Sequence, residues 1–297
     1  MNNKLKLDDR MKQYEHINRN YLIPNMYNVI RLDGKAFHTY TKQFIKPFDD
    51  VFINAMNETA KYICETMQGA KFAFVQSDEI SIYFTDTDNH EQQLWFGGNI
   101  QKIVSVAASK AAAKFNQIIF LHNSKSTIEE LQQLQLAEFD ARVFQLPNKH
   151  ELLNCFIWRQ EDCIRNSVST VAQYFYSTKE LHKKTVKDMK TMLLESGRAW
   201  ENYNSKYKNG RFISKEIYIN DILVGDNETE IRYQPDNEGI FKSKYGRALQ
   251  LNTSENDEID WCDIKIKKMR SFWNISNANI FLNVRETLIK KYFHNDK

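Results

Sequence analysis

Apolar positions along this chain change period several times, and each change marks an element. Tyr27-Asn28-Val29-Ile30-Arg31-Leu32-Asp33 is strand-like and is broken by Gly34. After Pro47, residues Phe48, Val51, Phe52, Ala55, Met56, Thr59, Tyr62, Ile63 and Met67 recur at threes and fours. That spacing is the stripe of an amphipathic helix, and Gly69 suits its C-terminal end. Residues 72–75 and 80–84 are two short β-rich runs joined by Gln76-Ser77-Asp78-Glu79, a hairpin with Asp78 and Glu79 at its turn. A second amphipathic helix covers about 99–115, with Ile100, Ile103, Val104, Ala107 and Ala111 inward, and Phe139–Leu146 makes a fourth strand. The order β-α-β-β-α-β is that of the ferredoxin-like split βαβ unit. It predicts an α+β fold (α/β, two-layer) of the kind that forms the palm of many polymerases and nucleotide cyclases.

The flanks are less regular. Residues 1–20 are polar and predict a short helix or an arm. Residues 149–197 read as helical: Leu152, Leu153, Phe156, Val168, Val171, Ala172 and Phe175 form one apolar face, then Met189, Met192 and Leu193 another, ending at Gly197. Ser177-Thr178-Lys179-Glu180 and Thr185-Val186-Lys187-Asp188 both have the pattern of a capping box. Beyond residue 212 the chain alternates acidic (221–238, 255–263) and basic (265–270) stretches, and 274–293 predicts a terminal helix. The expected organisation is a palm-like catalytic domain over 1–148, a helical extension over 149–215 and a C-terminal region of open role over 216–297.

Composition narrows the class only slightly. Two hundred and ninety-seven residues, 42% hydrophobic, suffice for a packed core, and a net charge of +3 does not by itself imply a nucleic-acid partner. Local charge says more. Residues 179–211 hold nine Lys/Arg against four Asp/Glu, with His182 besides, which suits either a polyanion or a solvated helical surface. Cys64, Cys155, Cys163 and Cys262 show no C-x-x-C spacing and read as reduced thiols of a cytoplasmic protein. The chain shows no apolar signal region and no apolar run of about 18 residues, so no membrane association is expected.

The candidate chemistry lies in the carboxylates. Asp33 ends one strand and Asp78 sits at the turn of the next hairpin, 45 residues on. Asp oxygens are hard ligands suited to Mg²⁺, which takes only one or two carboxylates from a protein. Two such ions a few ångströms apart can activate an attacking hydroxyl and steady a leaving oxygen. The ligands read this way are Asp33 and Asp78, with the Gly34 carbonyl as a third contact. Glu79 either ligates or orients a ligand. Arg31 and Arg142 end strands beside the site and either hold phosphates or form structural ion pairs. Ser77 either bonds a phosphate or caps the turn. Arg159, Asp162, Arg165, Asn166 and Ser169 share one polar helical stripe that faces a phosphate-bearing ligand or solvent.

Taken together, several segments resemble the tRNA(His) guanylyltransferases and their guanylyltransferase-like relatives. They are Arg31-Leu32-Asp33-Gly34-Lys35-Ala36-Phe37-His38, Lys46-Pro47-Phe48-Asp49, Gln76-Ser77-Asp78-Glu79, Trp95-Phe96-Gly97-Gly98 running to Lys102, Phe139-Asp140-Ala141-Arg142, Trp158-Arg159-Gln160 and Tyr207-Lys208-Asn209-Gly210. The resemblance covers about 14–215 and implies 3′-to-5′ nucleotide addition at the 5′ end of tRNA, with two Mg²⁺ ions and ATP, GTP or other nucleoside triphosphates. It implies a homo-oligomer, commonly a tetramer. Lys102 matches the family's triphosphate-contacting lysine, and His38 and Lys46 match positions linked to 5′-end activation. Lys35, Ala36, Phe37 and Ser77 join them as nucleotide-binding positions. Arg31, Arg142, Arg159, Arg165, Asn166, His182, Lys183, Lys184, Lys208 and Arg211 are the expected RNA and phosphate contacts. Ile164-Arg165-Asn166-Ser167 stands where the eukaryotic tRNA(His) enzymes carry His-Ile-Asn-Asn. The chain is more similar there to the guanylyltransferase-like branch, associated with templated repair of 5′-truncated tRNA, than to dedicated addition of G at position −1. A nucleotide cyclase, or a non-catalytic tRNA-binding protein on the same fold, are the competing readings.

Overall fold

A computed structural model describes residues 6–87, 92–124, 127–223, 234–235, 240–242, 248–250, 265–278 and 281–293. The chain divides into two compact units: residues 1–215 with 273–297, and residues 216–272.

In the first unit α1 (Leu7–His16) precedes β1 (Tyr27–Gly34), α2 (Phe37–Tyr40) and α3 (Asp50–Thr66). Then come β2 (Ala70–Gln76), β3 (Glu79–Phe84), α4 (Ile100–His122), α5 (Ile128–Gln132) and β4 (Phe139–Leu146). The helices α6 (Lys149–Phe175), α7 (Val186–Glu195) and α8 (Ser205–Lys208) follow, then β5 (Arg211–Leu223). The second unit holds β6 (Gln234–Pro235), β7 (Ile240–Lys242) and β8 (Ala248–Gln250), an antiparallel sheet in that order. The strand β9 (Lys265–Asn277) and α9 (Phe281–Tyr292) bring the chain back to the first unit.

The result is the mixed helix and antiparallel-sheet fold that the periodicity predicts. The strand order is β4-β1-β3-β2-β5-β9, with β1 antiparallel to both β3 and β4 and β2 antiparallel to β3 and β5. Two elements differ from expectation. The second helix runs to His122, and residues 274–277 belong to β9, so the terminal helix begins at Phe281. Most of the acidic stretches lie outside the described residues.

Local chemistry explains the helix starts. Asp49, not Pro47, begins α3: its carboxylate accepts from the Val51 and Phe52 amides. Thr185 and Asp188 form the expected capping box of α7. Ser177 and Glu180 make the same reciprocal bonds, but the chain there makes only turns before α7 begins.

One sheet face carries Ile30, Leu32, Ala73, Val75, Ile80, Ile82 and Phe84 into a core shared with α3 and α4. On the other, Val29, Phe72, Phe74 and Tyr83 pack against Leu152, Phe156 and Phe281 of α6 and α9. Thus α9, whose place the sequence leaves open, covers this second core. Among the described residues no helix is long and apolar enough to cross a membrane. Cys64, Cys155 and Cys163 are free thiols; burial pushes Cys155 up to about 11 and Cys163 to about 12. Cys262 lies outside the described residues.

Candidate active site

Strand alternation builds the site. With Ile30 and Leu32 committed to the α3/α4 core, Arg31 and Asp33 must face α6. Asp33 lies directly opposite Glu79 on β3 and Asp140 on β4, and Arg31 lies opposite Ser81 and Arg142. One end of this face therefore gathers three acids and two arginines. Asp78 joins them from the hairpin turn, where Ser77 adopts a positive φ of 42° and the Gly34 amide donates to the Asp78 carbonyl at 3.1 Å. Gly34 itself is fixed by packing: a Cβ there would overlap the Phe37 ring.

The electrostatics mark Asp33 and Asp78 as under-compensated. Burial raises the Asp33 carboxyl first and the Asp140 charge adds to it, against Arg142, Arg31 and Arg159. Burial likewise raises Asp78, followed by the charge of Asp33. Two carboxylates in this condition fit a hard divalent cation, whose charge would relieve both. Among the described residues no group of three or more His, Cys, Asp or Glu side chains could hold a metal. Two carboxylates still suit Mg²⁺, which completes its shell with water and substrate phosphates.

Glu79 is committed elsewhere. It pairs with Arg159 at 3.3 Å and accepts from Ser81 at 3.1 Å, and burial raises its carboxyl despite the arginine. On the polar stripe Arg159 is buried, bridging Glu79 and Asp162 (2.5 Å). Arg165 stays exposed but pairs with the same Asp162.

The nucleotide-binding positions divide. Lys46, Ser77 and Asn166 line a cavity of about 180 Å³ with Phe48, Gln76 and Arg211. His38 is exposed, and Ala36 takes the left-handed region at φ 56°. Phe37 is buried, its ring packed on Tyr40, Phe52, Phe115 and Phe139 in the core. Lys35 pairs with Glu138 at 2.5 Å. Lys102 sits in the first turn of α4 with Nζ 4.9 Å from the Phe96 ring centre; no polar contact joins it to Asp33 or Asp78.

The basic stretch is less free than its composition suggests. Lys190 and Lys208 lie over Trp200, Arg198 over Phe175, and Lys206 pairs with Asp50 at 2.7 Å. Arg211 is buried and donates to Asn57 at 2.9 Å, and burial lowers it to about 10. His182, Lys183 and Lys184 remain exposed. Sequence reasoning assigns no role to Gln76, yet its Oε1 and the Arg211 Nη2 are buried without a partner at the cavity. No local signal in the sequence identifies such a pair.

Known proteins resemble this chain over most of its length. The family model described as tRNAHis guanylyltransferase matches residues 8–147. A bacterial tRNA(His) guanylyltransferase-like protein solved with ATP is 42% identical over 71% of this chain and 89% of its own, with a TM-score of 0.66. A structure described in the same words, with GTP, is 33% identical over 96% of this chain and 97% of its own, TM-score 0.67. The tRNA(His) guanylyltransferase of Schizosaccharomyces pombe is 33% identical over 53% of this chain, and the match spans only about half of that enzyme, 56%. The chain belongs to the tRNA(His) guanylyltransferase family, a family of nucleotidyltransferases.

Proposed function

We propose that this protein adds nucleotides to the 5′ end of tRNA in the 3′-to-5′ direction, on a polymerase-type palm, and that its substrate is 5′-truncated tRNA repaired against its own acceptor strand. The observation that carries the reading is the gathering of Asp33, Asp78, Arg31 and Arg142 at one strand end, beside a cavity lined by polar and apolar side chains alike. Asp33, Asp78 and the Gly34 carbonyl are the residues that would hold Mg²⁺. When bound, Mg²⁺ supplies charge neutralisation at the phosphates and lowers the pKa of an attacking hydroxyl.

The reaction has two parts. A 5′-monophosphate end first attacks the α-phosphate of ATP or GTP and pyrophosphate leaves. The 3′-hydroxyl of an incoming nucleoside triphosphate then attacks the activated 5′ phosphate, and the nucleoside monophosphate leaves. The cavity takes the activating nucleotide: Lys46 and Ser77 face its phosphates, and Gln76 and Arg211 offer an acceptor and a donor to its polar edge. Arg31 and Arg142 hold the phosphates of the RNA end as charge shifts.

The test is addition to a 5′-labelled tRNA lacking its first one or two nucleotides, with Mg²⁺ and all four triphosphates. Extension that stops at the full acceptor stem is expected. Extension of full-length tRNA(His) alone would establish the second reading, dedicated G addition at position −1, which the family match and the S. pombe relative favour equally. Binding without addition to either would leave a tRNA-binding protein.

A further inference from the structure

On the α6 side of the sheet, Trp158 is an aromatic ring 52% exposed, next to the buried Arg159 and Gln160 on a helix face that otherwise carries Leu152, Leu153 and Phe156. Arg31 reaches over it, with the guanidinium carbon 5.8 Å from the ring centre. Arg159 lies against it at 4.0 Å. Arg159 is locked between Glu79 and Asp162, so the ring rests on an immobilised plane. A half-open indole held in this way offers one flat face on which a planar group can stack.

The charges beside it say what that planar group is. Arg31 and Arg142 face each other directly across β1 and β4, an arrangement that like charges disfavour. Arg142 has partial relief from Asp140 at 3.3 Å. Among the described residues Arg31 forms no salt bridge; its guanidinium lies over Trp158, and its charge acts on Asp33 and Glu79. Two guanidinium groups beside an exposed indole match a nucleotide: phosphate on the arginines, base on the ring.

We propose that Trp158 is the stacking platform for the 5′-terminal base of the RNA, with that nucleotide's phosphate on Arg31 and Arg142; this rests on the tRNA reading above. The open geometry selects RNA over a free nucleotide. Stacking on one ring holds a free mononucleotide no better than a Kd of several millimolar, on the order of the strength of a single base–aromatic contact. A base carried by an RNA already held elsewhere needs nothing stronger. Glu79 and Asp162 act through Arg159 as positioning residues for the ring.

The test uses full-length protein and a 5′-truncated tRNA carrying 2-aminopurine as its 5′-terminal base. Binding should quench the 2-aminopurine emission. Trp158→Leu should abolish the quenching and weaken binding by about tenfold, while Trp158→Phe should retain most of both. Independently, tRNA should quench indole emission more in the wild type than in Trp158→Phe, a readout that needs no unfolding-prone variant. Equal 2-aminopurine quenching in the wild type and Trp158→Leu, with tRNA retained on filters, overturns the platform and leaves the tRNA reading standing. Quenching of free 2-aminopurine riboside triphosphate at micromolar concentration, lost in Trp158→Leu, overturns the assignment to RNA. Failure of the tRNA to bind at all overturns the tRNA reading and this inference with it.

Discussion

The two faces of the sheet are made by the same strands and do opposite work. On the α3/α4 face, Ile30, Leu32, Ile80 and Ile82 are fully buried and meet Phe37, Phe52 and Phe115. On the α6 face the apolar contacts of Val29 and Tyr83 give way, two residues along each strand, to Arg31 and Ser81 and, four residues along, to Asp33 and Glu79. A one-residue step along a strand changes the face, so stability and chemistry occupy alternate positions of β1 and β3. The lesson is that a site can be placed on the stiffest part of a fold when only one parity of residues is charged.

Substitutions on the two faces should therefore separate cleanly. The largest effect is expected from Asp33→Ala or Asp78→Ala: nucleotide addition falls by about a thousandfold or more, consistent with several kcal/mol of lost transition-state stabilisation. Melting should fall little, and a folded variant with normal addition would remove these residues from the site. On the opposite face, Phe115→Ala should cost about 3–5 kcal/mol of stability in urea unfolding while leaving the KM for triphosphate unchanged in the folded protein. Arg159→Ala crosses the divide. It strands Glu79 in a buried setting and removes one partner of Asp162, which keeps Arg165, costing about 3–5 kcal/mol, and it should also lower tRNA extension; loss of stability alone would break the proposed link to Trp158.

A smaller effect concerns pH in the presence of a chelator. The raised Asp78 carboxyl binds its proton more tightly folded than unfolded. Its contribution is therefore full below the ordinary aspartate range and is lost as pH rises through its raised value. Asp78→Asn removes that loss. Its melting temperature should match the wild type in acid and exceed it by about 2 °C near neutrality, and Mg²⁺ should stabilise only the wild type. An Asn variant that melts lower at neutral pH would contradict this. The smallest expected change is a severalfold rise in triphosphate KM for Lys102→Ala, about 1 kcal/mol, with filter binding of tRNA unchanged.

Much of this was legible in the sequence because it is local. The strand-like run ending at Asp33, the three-and-four stripe of α3 and the hairpin at Gln76–Glu79 each depend on neighbours a few residues away, and period alone fixes which residues share a face. The order of the first four strands follows from that reading. Charge, by contrast, is spent at a distance. Arg159 and Arg211 look like surface cations, but Glu79 is 80 residues from the first and Asn57 is 154 from the second. Phe37 sits within a nucleotide-binding motif, yet its ring fills the core because Gly34 leaves room for it.

The sequence by itself determined the alternation, the helices and the two aspartates, since these rest on local periodicity and residue chemistry. Only the tertiary structure decided which cations remain free, that β5 and β9 extend the sheet, and that Glu79 supports Arg159. Those outcomes depend on desolvation and pairing between segments far apart in the chain, and no local pattern encodes them.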